Sequence, residues 1–190
     1  MDTPLTLAVH LATERLKLRP FALSDAKRVQ ELAGDVEIAR TTLHVPHPYP
    51  DGGAEAWITR LNQAGLEGKQ YTFAITTASD GVLIGSIGIG VQHEHARGEL
   101  GYWIGRAYWG QGYGTEAART VLDFAFDTLQ LHRVYAYAMT SNPGSTRIME
   151  KIGMKFEGVL RQHVLKWGEF FDLAAYGVVK SDLPSKGDPM

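Results

Sequence analysis

The stretch Trp109-Gly110-Gln111-Gly112-Tyr113-Gly114-Thr115-Glu116-Ala117 leads into the longest apolar stripe of the chain, and its reading decides the fold. Glycines at three alternate positions let a backbone turn tightly and approach a ligand closely. Ala117, Ala118, Val121, Leu122, Ala125, Phe126 and Leu129 then recur at helical spacing as one continuous apolar face. The loop therefore passes its N–H groups into the start of a long helix. Such a helix end carries unpaired donors and a positive partial charge, which suit a phosphate or pyrophosphate. Glycine spacing alone serves a plain turn into a helix equally well.

Two nucleotide motifs fail here. The run from Gly112 to Ala117 satisfies the dinucleotide pattern G-x-G-x-x-A. That pattern also needs a strand running directly into the turn and an acidic residue about 20 positions further on. The strand-like residues 99–104 end several residues before the loop, and no Asp or Glu stands between Asp127 and Glu150. An ATP-type phosphate loop needs Gly-Lys-Ser/Thr, which does not follow.

Working outward, Leu16, Leu18 and Phe21 alternate with Arg15, Lys17 and Arg19, which predicts a half-buried strand stopped at Pro20. Ser24-Asp25 reads as a helix start, with Val29 and Leu32 on one face. Residues 44–53 hold three prolines and two glycines and read as a loop, followed by a helix over about 54–64 carrying Trp57, Ile58 and Leu61. Residues 71–76, 82–91 and 99–104 read as an antiparallel meander with turns at 78–81 and 94–98. Beyond the long helix, residues 133–138 read as a strand. Asn142-Pro143 then supplies an N-cap followed by proline at the first helical position. Ile148, Met149 and Ile152 form that helix's apolar face, Gly153 ends it, and strands over 155–163 and 169–179 close the chain. The order is strand, two helices, three strands, helix, strand, helix, two strands. That is a mixed α/β (α+β) sheet with an antiparallel first half, and not a doubly wound fold.

Composition bounds what such a domain does. The chain has 190 residues, 44% hydrophobic and 21% charged, the balance of one globular domain. A net charge of −2 provides no electrostatic footprint for nucleic acid. The absence of cysteine excludes disulfides, thiolate metal sites and a Cys nucleophile. The apolar stretch 5–12 lacks a basic flank and is interrupted by His10, so neither a signal peptide nor a membrane association is expected, and the default location is cytoplasmic. The histidines do not cluster at metal spacing, and His93-Glu94-His95 falls in a turn, so no metal is expected. Residues 183–190, with Pro184, Lys186, Gly187 and Pro189, read as a flexible tail after a single domain over 1–182.

Three ordered segments carry a family resemblance. They are Glu99-Leu100-Gly101-Tyr102-Trp103-Ile104, then Tyr108 through Ala117, then Asn142-Pro143-Gly144-Ser145 leading to Glu150-Lys151-Ile152-Gly153-Met154. Together they resemble the GNAT superfamily of acetyltransferases, most closely its ribosomal-protein N-acetyltransferases of the RimJ/RimL type, over roughly residues 13–182. The superfamily loop usually begins with Gln or Arg where this chain has Trp109; the RimJ/RimL branch often carries an aromatic there. The resemblance implies a GNAT-like acyl-CoA N-acyltransferase fold, its mostly antiparallel sheet flanked by helices and splayed between its fourth and fifth strands, 99–104 and 133–138. Acetyl-CoA, the co-substrate, would lie in that gap. Gly110, Gln111, Gly112, Tyr113, Gly114 and Thr115 would hold its pyrophosphate through backbone N–H groups. Backbone groups of Tyr102, Trp103 and Ile104 would pair with the pantetheine arm. Gly101 inside a strand suggests a bulge, one way to open the sheet.

Acetyl transfer to an amine needs a neutral amine, a polarised thioester carbonyl and a proton for the leaving thiolate. The resemblance makes Glu99 the candidate general base, directly or through water; as a bare carboxylate it also reads as a surface group beside Arg97. Ser145 is the candidate acid to the CoA sulfur and Asn142 a partner of the pantetheine arm. Their structural readings are a first-turn polar residue and a helix N-cap. Tyr102, Trp103, Tyr108 and Trp109 either line the acceptor site or belong to the core. The loop 44–49 falls where this family places an acceptor-side loop. Neutralising an α-amine at pH 7 costs about 1.4 kcal/mol, and a lysine amine roughly 4.6 kcal/mol. A solvated base is therefore better matched to an N-terminal amine. The leading expectation is acetylation of a protein N-terminus by direct attack in a ternary complex, by a monomer or homodimer. A small-molecule amine and a non-catalytic acetyl-CoA-binding module remain the alternatives.

Overall fold

The structure, a computed structural model, describes residues 9–183. The tail 184–190 and residues 5–8 of the apolar stretch 5–12 lie outside the described residues. Within them run strands β1 (Leu11–Ala12), β2 (Leu16–Arg19), β3 (Gln70–Thr77), β4 (Leu83–Gln92), β5 (Arg97–Ile104), β6 (Arg133–Met139), β7 (Lys155–Lys166) and β8 (Glu169–Val179). The helices are α1 (Ala26–Ala33), α2 (Val36–Thr41), α3 (Gly53–Leu66), α4 (Tyr113–Asp127) and α5 (Pro143–Lys151).

One sheet takes all the strands in the order β1-β2-β3-β4-β5-β6-β8-β7. Every neighbouring pair is antiparallel except β5–β6, which is parallel. Alternation in β2 buries Leu16 and Leu18 and exposes Lys17. By contrast β4 is buried on both faces from Leu83 to Ile89, because helices cover both sides of the sheet. On one face α4 lays Ala117, Val121, Leu122 and Phe124 onto β2 to β6, with Phe124 edge-on to Tyr71 and Phe73 at 5.5 and 5.8 Å. On the other face α1 and α3 bury Val29, Leu32, Ile58 and Leu61, and Phe21 packs edge-on to Trp57 at 5.0 Å. Each such fully buried large side chain contributes about 1.5–3 kcal/mol by leaving water.

The sheet opens where the resemblance implied, now between β5 and β6 because the short β1 adds a strand ahead of the expected ones. The parallel ladder covers only Arg97–Glu99 against Arg133–Tyr135. Past that rung β5 continues beside β4 to Ile104, while β6 continues beside β8 to Met139. The bulge expected at Gly101 is absent. The β4–β5 register runs unbroken from Gly85↔Ile104 to Gln92↔Arg97, with Gly101 opposite Gly88. The sheet parts because β5 loses its β6 partner, not because it kinks. Irregular registers lie instead at Ile75/Thr76 and within β7. A second element absent from the sequence reading is α2, whose start is capped by the Asp35 side chain accepting from the Glu37 N–H at 2.8 Å. Among the described residues, no helix is long and apolar enough to cross a membrane.

Candidate functional site

A cleft of about 1240 Å³ follows the opened seam from the glycine loop to the last shared rung of β5 and β6. The glycine loop forms one end. Gly110 and Gly112 adopt φ of +74° and +83°, a left-handed conformation that costs an L side chain about 1–2 kcal/mol. Gly112 is the N-cap of α4 and supplies no side-chain cap, and the first residues of that helix, Tyr113 to Thr115, line the cleft. A Cβ on Gly110 would meet nothing within 4 Å. Uncapped donors beside open space fit a pyrophosphate. Gly114 has a different reason to be glycine: a Cβ there would lie 2.7 Å from Ile148 Cδ1, so it allows α4 and α5 to pack closely.

The loop is held from a distance. Arg15 reaches it from the turn before β2, donating to Glu116 Oε2 through Nε at 2.7 Å and to the Gln111 carbonyl at 3.0 Å. Its guanidinium also lies 4.7 Å from the Tyr113 ring centroid. Glu116 further accepts from the Thr13 hydroxyl and the Arg15 N–H. Burial pushes the Glu116 carboxyl upward, but the hydrogen bonds from Thr13 and Arg15 outweigh it and hold the carboxyl below its ordinary range. No sequence signal singles out Arg15, which lies 101 residues from Glu116.

On the opposite wall, the Tyr102 hydroxyl donates to the Ser145 carbonyl at 3.1 Å and lies 2.9 Å from Ser145 Oγ. Burial raises the Tyr102 phenol to about 12, against a smaller downward pull from the Ser145 hydrogen bond. It therefore keeps its proton throughout the neutral range. Asn142 is the α5 N-cap, accepting from the Ser145 N–H at 3.1 Å, and its amide nitrogen donates to the Thr41 carbonyl of α2 at 3.4 Å. It also lines the cleft, so the capping position and the ligand-facing position coincide.

Glu99 stands at the far end, exposed, on the last rung before the strands part. Burial first, and then the Glu99 charge, hold the Tyr135 phenol opposite it above its ordinary range. Arg97 does not pair with Glu99; it donates to Gln92 Oε1 at 2.7 Å and stacks over Tyr135. The loop 44–49 lines the cleft through His44, Val45 and Tyr49. It is anchored by Lys166, whose buried ammonium donates to the Thr42 carbonyl and to the Val45 carbonyl at 3.3 Å. Burial lowers the Lys166 pKa.

The cleft gathers Glu99, Tyr102, Trp103, Ile104, Gly110, Gly112, Tyr113, Gly114, Thr115, Asn142 and Ser145 of the expected set. Gln111 is the exception. Its side chain turns back to the Ala107 carbonyl at 3.1 Å, and it does not line the cleft. Trp109 folds over the end of β5 and donates to the Ile104 carbonyl at 2.6 Å. His93 engages the Gly68 carbonyl at 2.8 Å. Arg15, Lys166 and the Tyr102 hydroxyl's pairing with Ser145 are the features that sequence reasoning missed.

A glycine loop feeding an uncapped helix at the mouth of a sheet splayed between parallel strands is the arrangement that the resemblance to acyl-CoA-dependent acyltransferases implied. Residues 15–155 match the acetyltransferase (GNAT) domain family, and the chain belongs to that family. It is similar to the probable N-acetyltransferase YjcK of Bacillus subtilis, 32% identical over 180 residues that cover 90% of this chain and 98% of that protein. It is also similar to the spermidine N(1)-acetyltransferase of Escherichia coli K12, 25% identical over 82% of this chain and 81% of that protein. Its fold matches the solved structure of RimL, a ribosomal L7/L12 α-N-protein acetyltransferase in complex with coenzyme A. The TM-score is 0.83 at 13% identity, covering 90% of this chain and 98% of that one. The protein is an acyltransferase of the N-acetyltransferase class.

Proposed function

We propose that this enzyme acetylates the N-terminal α-amine of a protein, drawing on acetyl-CoA bound along the seam between β5 and β6. The observation that carries the reading is a single cleft joining the uncapped start of α4 to the exposed carboxylate of Glu99. The glycine loop would receive the pyrophosphate and Arg147 and Lys151, which also line the cleft, would neutralise further phosphate charge. Glu99, directly or through a water, takes a proton from the acceptor ammonium. The neutral nitrogen attacks the thioester carbonyl, forming the amide C–N bond as the C–S bond breaks. The departing thiolate, whose parent thiol has a pKa of about 8.5, takes up through the Tyr102–Ser145 pair the second proton that the nitrogen sheds as it becomes an amide, so the pair ends as it began. Tyr102 suits this relay because its phenol stays protonated at working pH and so remains a hydrogen-bond donor.

The lining charges favour a singly charged acceptor over a polyamine. With Arg147 and Lys151 given to the phosphates, the carboxylates left on the cleft are Glu37, already paired with Arg40 at 3.5 Å, and Glu99, against the cation Arg60. A polyamine would bring several positive charges to a surface with few to match them. The similarity to a spermidine acetyltransferase makes spermidine the necessary comparison. The chain has no cysteine, so a thiol-reactive dye reads only released CoA. The test sets a peptide with a free N-terminus against the same peptide blocked at its N-terminus but bearing lysine, and against spermidine. Turnover is expected with the free N-terminus. Turnover with spermidine alone would reject the protein-acceptor reading.

A further inference from the structure

Three rungs of β4 and β5 share the face that carries Glu99: Gly90 opposite Glu99, Gly88 opposite Gly101, and Ser86 opposite Trp103. Between Glu99 and Trp103 this face has no side chain at all. All three glycines line the cleft. Glycine within a strand weakens it, so each position needs a reason. Gly88 has one in the fold: a Cβ there would lie 2.6 Å from Thr72 Oγ1. Gly90 and Gly101 have none. Neither adopts a positive φ, and a Cβ on either would meet nothing within 4 Å. Backbone conformation, packing and register all tolerate a Cβ at both places. What remains is the close approach of a ligand.

We infer that Gly90 and Gly101 are specificity-determining residues. They form a bare floor on which the atoms next to the reacting amine lie against the backbone of β4 and β5. The floor is two strands wide, about 4.8 Å between strand axes, and Gly101 is two residues from Glu99, roughly 6.6 Å along the strand. An amine beside Glu99 therefore places its α-carbon and first substituent over Gly101 and Gly90, with Trp103 and Ser86 closing the far end. Thr72 and Gln70, joined by a 2.9 Å hydrogen bond, border the floor from β3 and give polar partners to an amide. This is the footprint of an extended peptide's first residue. The inference rests on the acetyl-transfer reading of the cleft and adds which residues set the size of group accepted.

Filling the floor tests it. Gly101→Ala, Gly101→Val and Gly90→Ala are assayed by thiol release on peptides whose first residue runs from glycine to leucine. KM for the acceptor should rise in steps from Gly101→Ala to Gly101→Val, by about tenfold or more for bulky first residues. The rise should be smallest for an N-terminal glycine. KM for acetyl-CoA should hold, and the thermal midpoint should equal or exceed that of the unsubstituted protein, because nothing folded occupies the space. Gly101→Ala keeps the test informative should the valine variant not fold. Unchanged acceptor KM across the peptides would overturn the assignment of the floor and leave the acetyl-transfer reading standing. Failure of the unsubstituted protein to release thiol with any amine would overturn both.

Discussion

Replacing Arg15 by methionine removes a long-range support of the glycine loop while keeping an apolar stem over Tyr113. The lost contacts are a two-nitrogen pairing with Glu116 at 2.7 and 2.6 Å and a donor to the Gln111 carbonyl at 3.0 Å. Charged hydrogen bonds of this kind contribute about 1.5–3 kcal/mol when shielded. The Arg15 side chain is 45% exposed, so solvent screening cuts the pairing to about 1 kcal/mol. Glu116 keeps the Thr13 hydroxyl and the residue-15 N–H, which spares it complete loss of partners. The thermal midpoint should fall by about 2–4 °C, the shift that 1 kcal/mol produces in a domain of this size. The larger effect falls on the cofactor. Without a donor on its carbonyl, Gln111 no longer fixes the orientation of the peptide units between Gly110 and Gly112. Restoring that order on binding should raise KM for acetyl-CoA by about 5–10-fold, or roughly 1–1.4 kcal/mol. At saturating acetyl-CoA, kcat should stay near its original value, because Arg15 touches none of the reacting atoms. Steady-state thiol release and a thermal melt read both quantities. A lower midpoint with unchanged KM for acetyl-CoA would refute the positioning argument and reduce Arg15 to a fold contact.

Three further outcomes follow from the same geometry. Glu99→Gln should lower kcat/KM at pH 7 by about 100-fold, with the deficit narrowing as pH rises past about 8, where an α-amine deprotonates unaided; a deficit constant with pH would remove Glu99 from the base role. Tyr102→Phe should cut kcat by about 10–100-fold with little change in KM for acetyl-CoA. The unsubstituted enzyme should show no loss of rate from Tyr102 ionisation below about pH 10, since burial raises that phenol to about 12; a phenylalanine variant of undiminished kcat would exclude it as proton donor. Asp25, nearly buried, accepts twin bonds of 2.8 Å from Arg19 and a third from the Ala22 N–H at 2.9 Å. Burial pushes its carboxyl up, and the Arg19 and Ala22 hydrogen bonds then bring it below its ordinary range. Its stabilisation is thus present above the unfolded carboxyl pKa of about 3.9 and is lost as pH falls through the lower folded value. Asp25→Asn should cost about 2–3 kcal/mol at pH 7 and flatten the acid limb of a stability–pH curve; an unaltered acid limb would show that another carboxyl carries it.

Much of this was legible in the chain itself. The period of Ala117 to Phe126, the alternation of Leu16 and Leu18, and the Asn142-Pro143 start are local signals, and local backbone preferences produced the elements they predict. Gly110 and Gly112 do make the tight turn that glycine spacing allowed, both at left-handed φ. The third glycine is different: Gly114 answers to Ile148, thirty-odd residues on, and no spacing rule distinguishes it from a ligand-binding glycine. The short α2 escaped because six residues carry too little periodicity to stand out, and its Asp35 cap is a single-residue signal.

The order of residues thus determined which segments become helix or strand, where a helix N-terminus lies bare, and which polar side chains were available for chemistry. The fold alone decided what meets what. Arg15 finds Glu116, Tyr102 finds Ser145, and Lys166 finds Thr42 across separations of 101, 43 and 124 residues. It also decided that Gly101 lies on an unbroken ladder and faces open space instead of forming a bulge. Local propensity acts through neighbouring dihedrals and fades within a few residues. A cleft, a raised phenol and a bare strand floor come from surfaces brought together by burial, and burial depends on the whole chain at once.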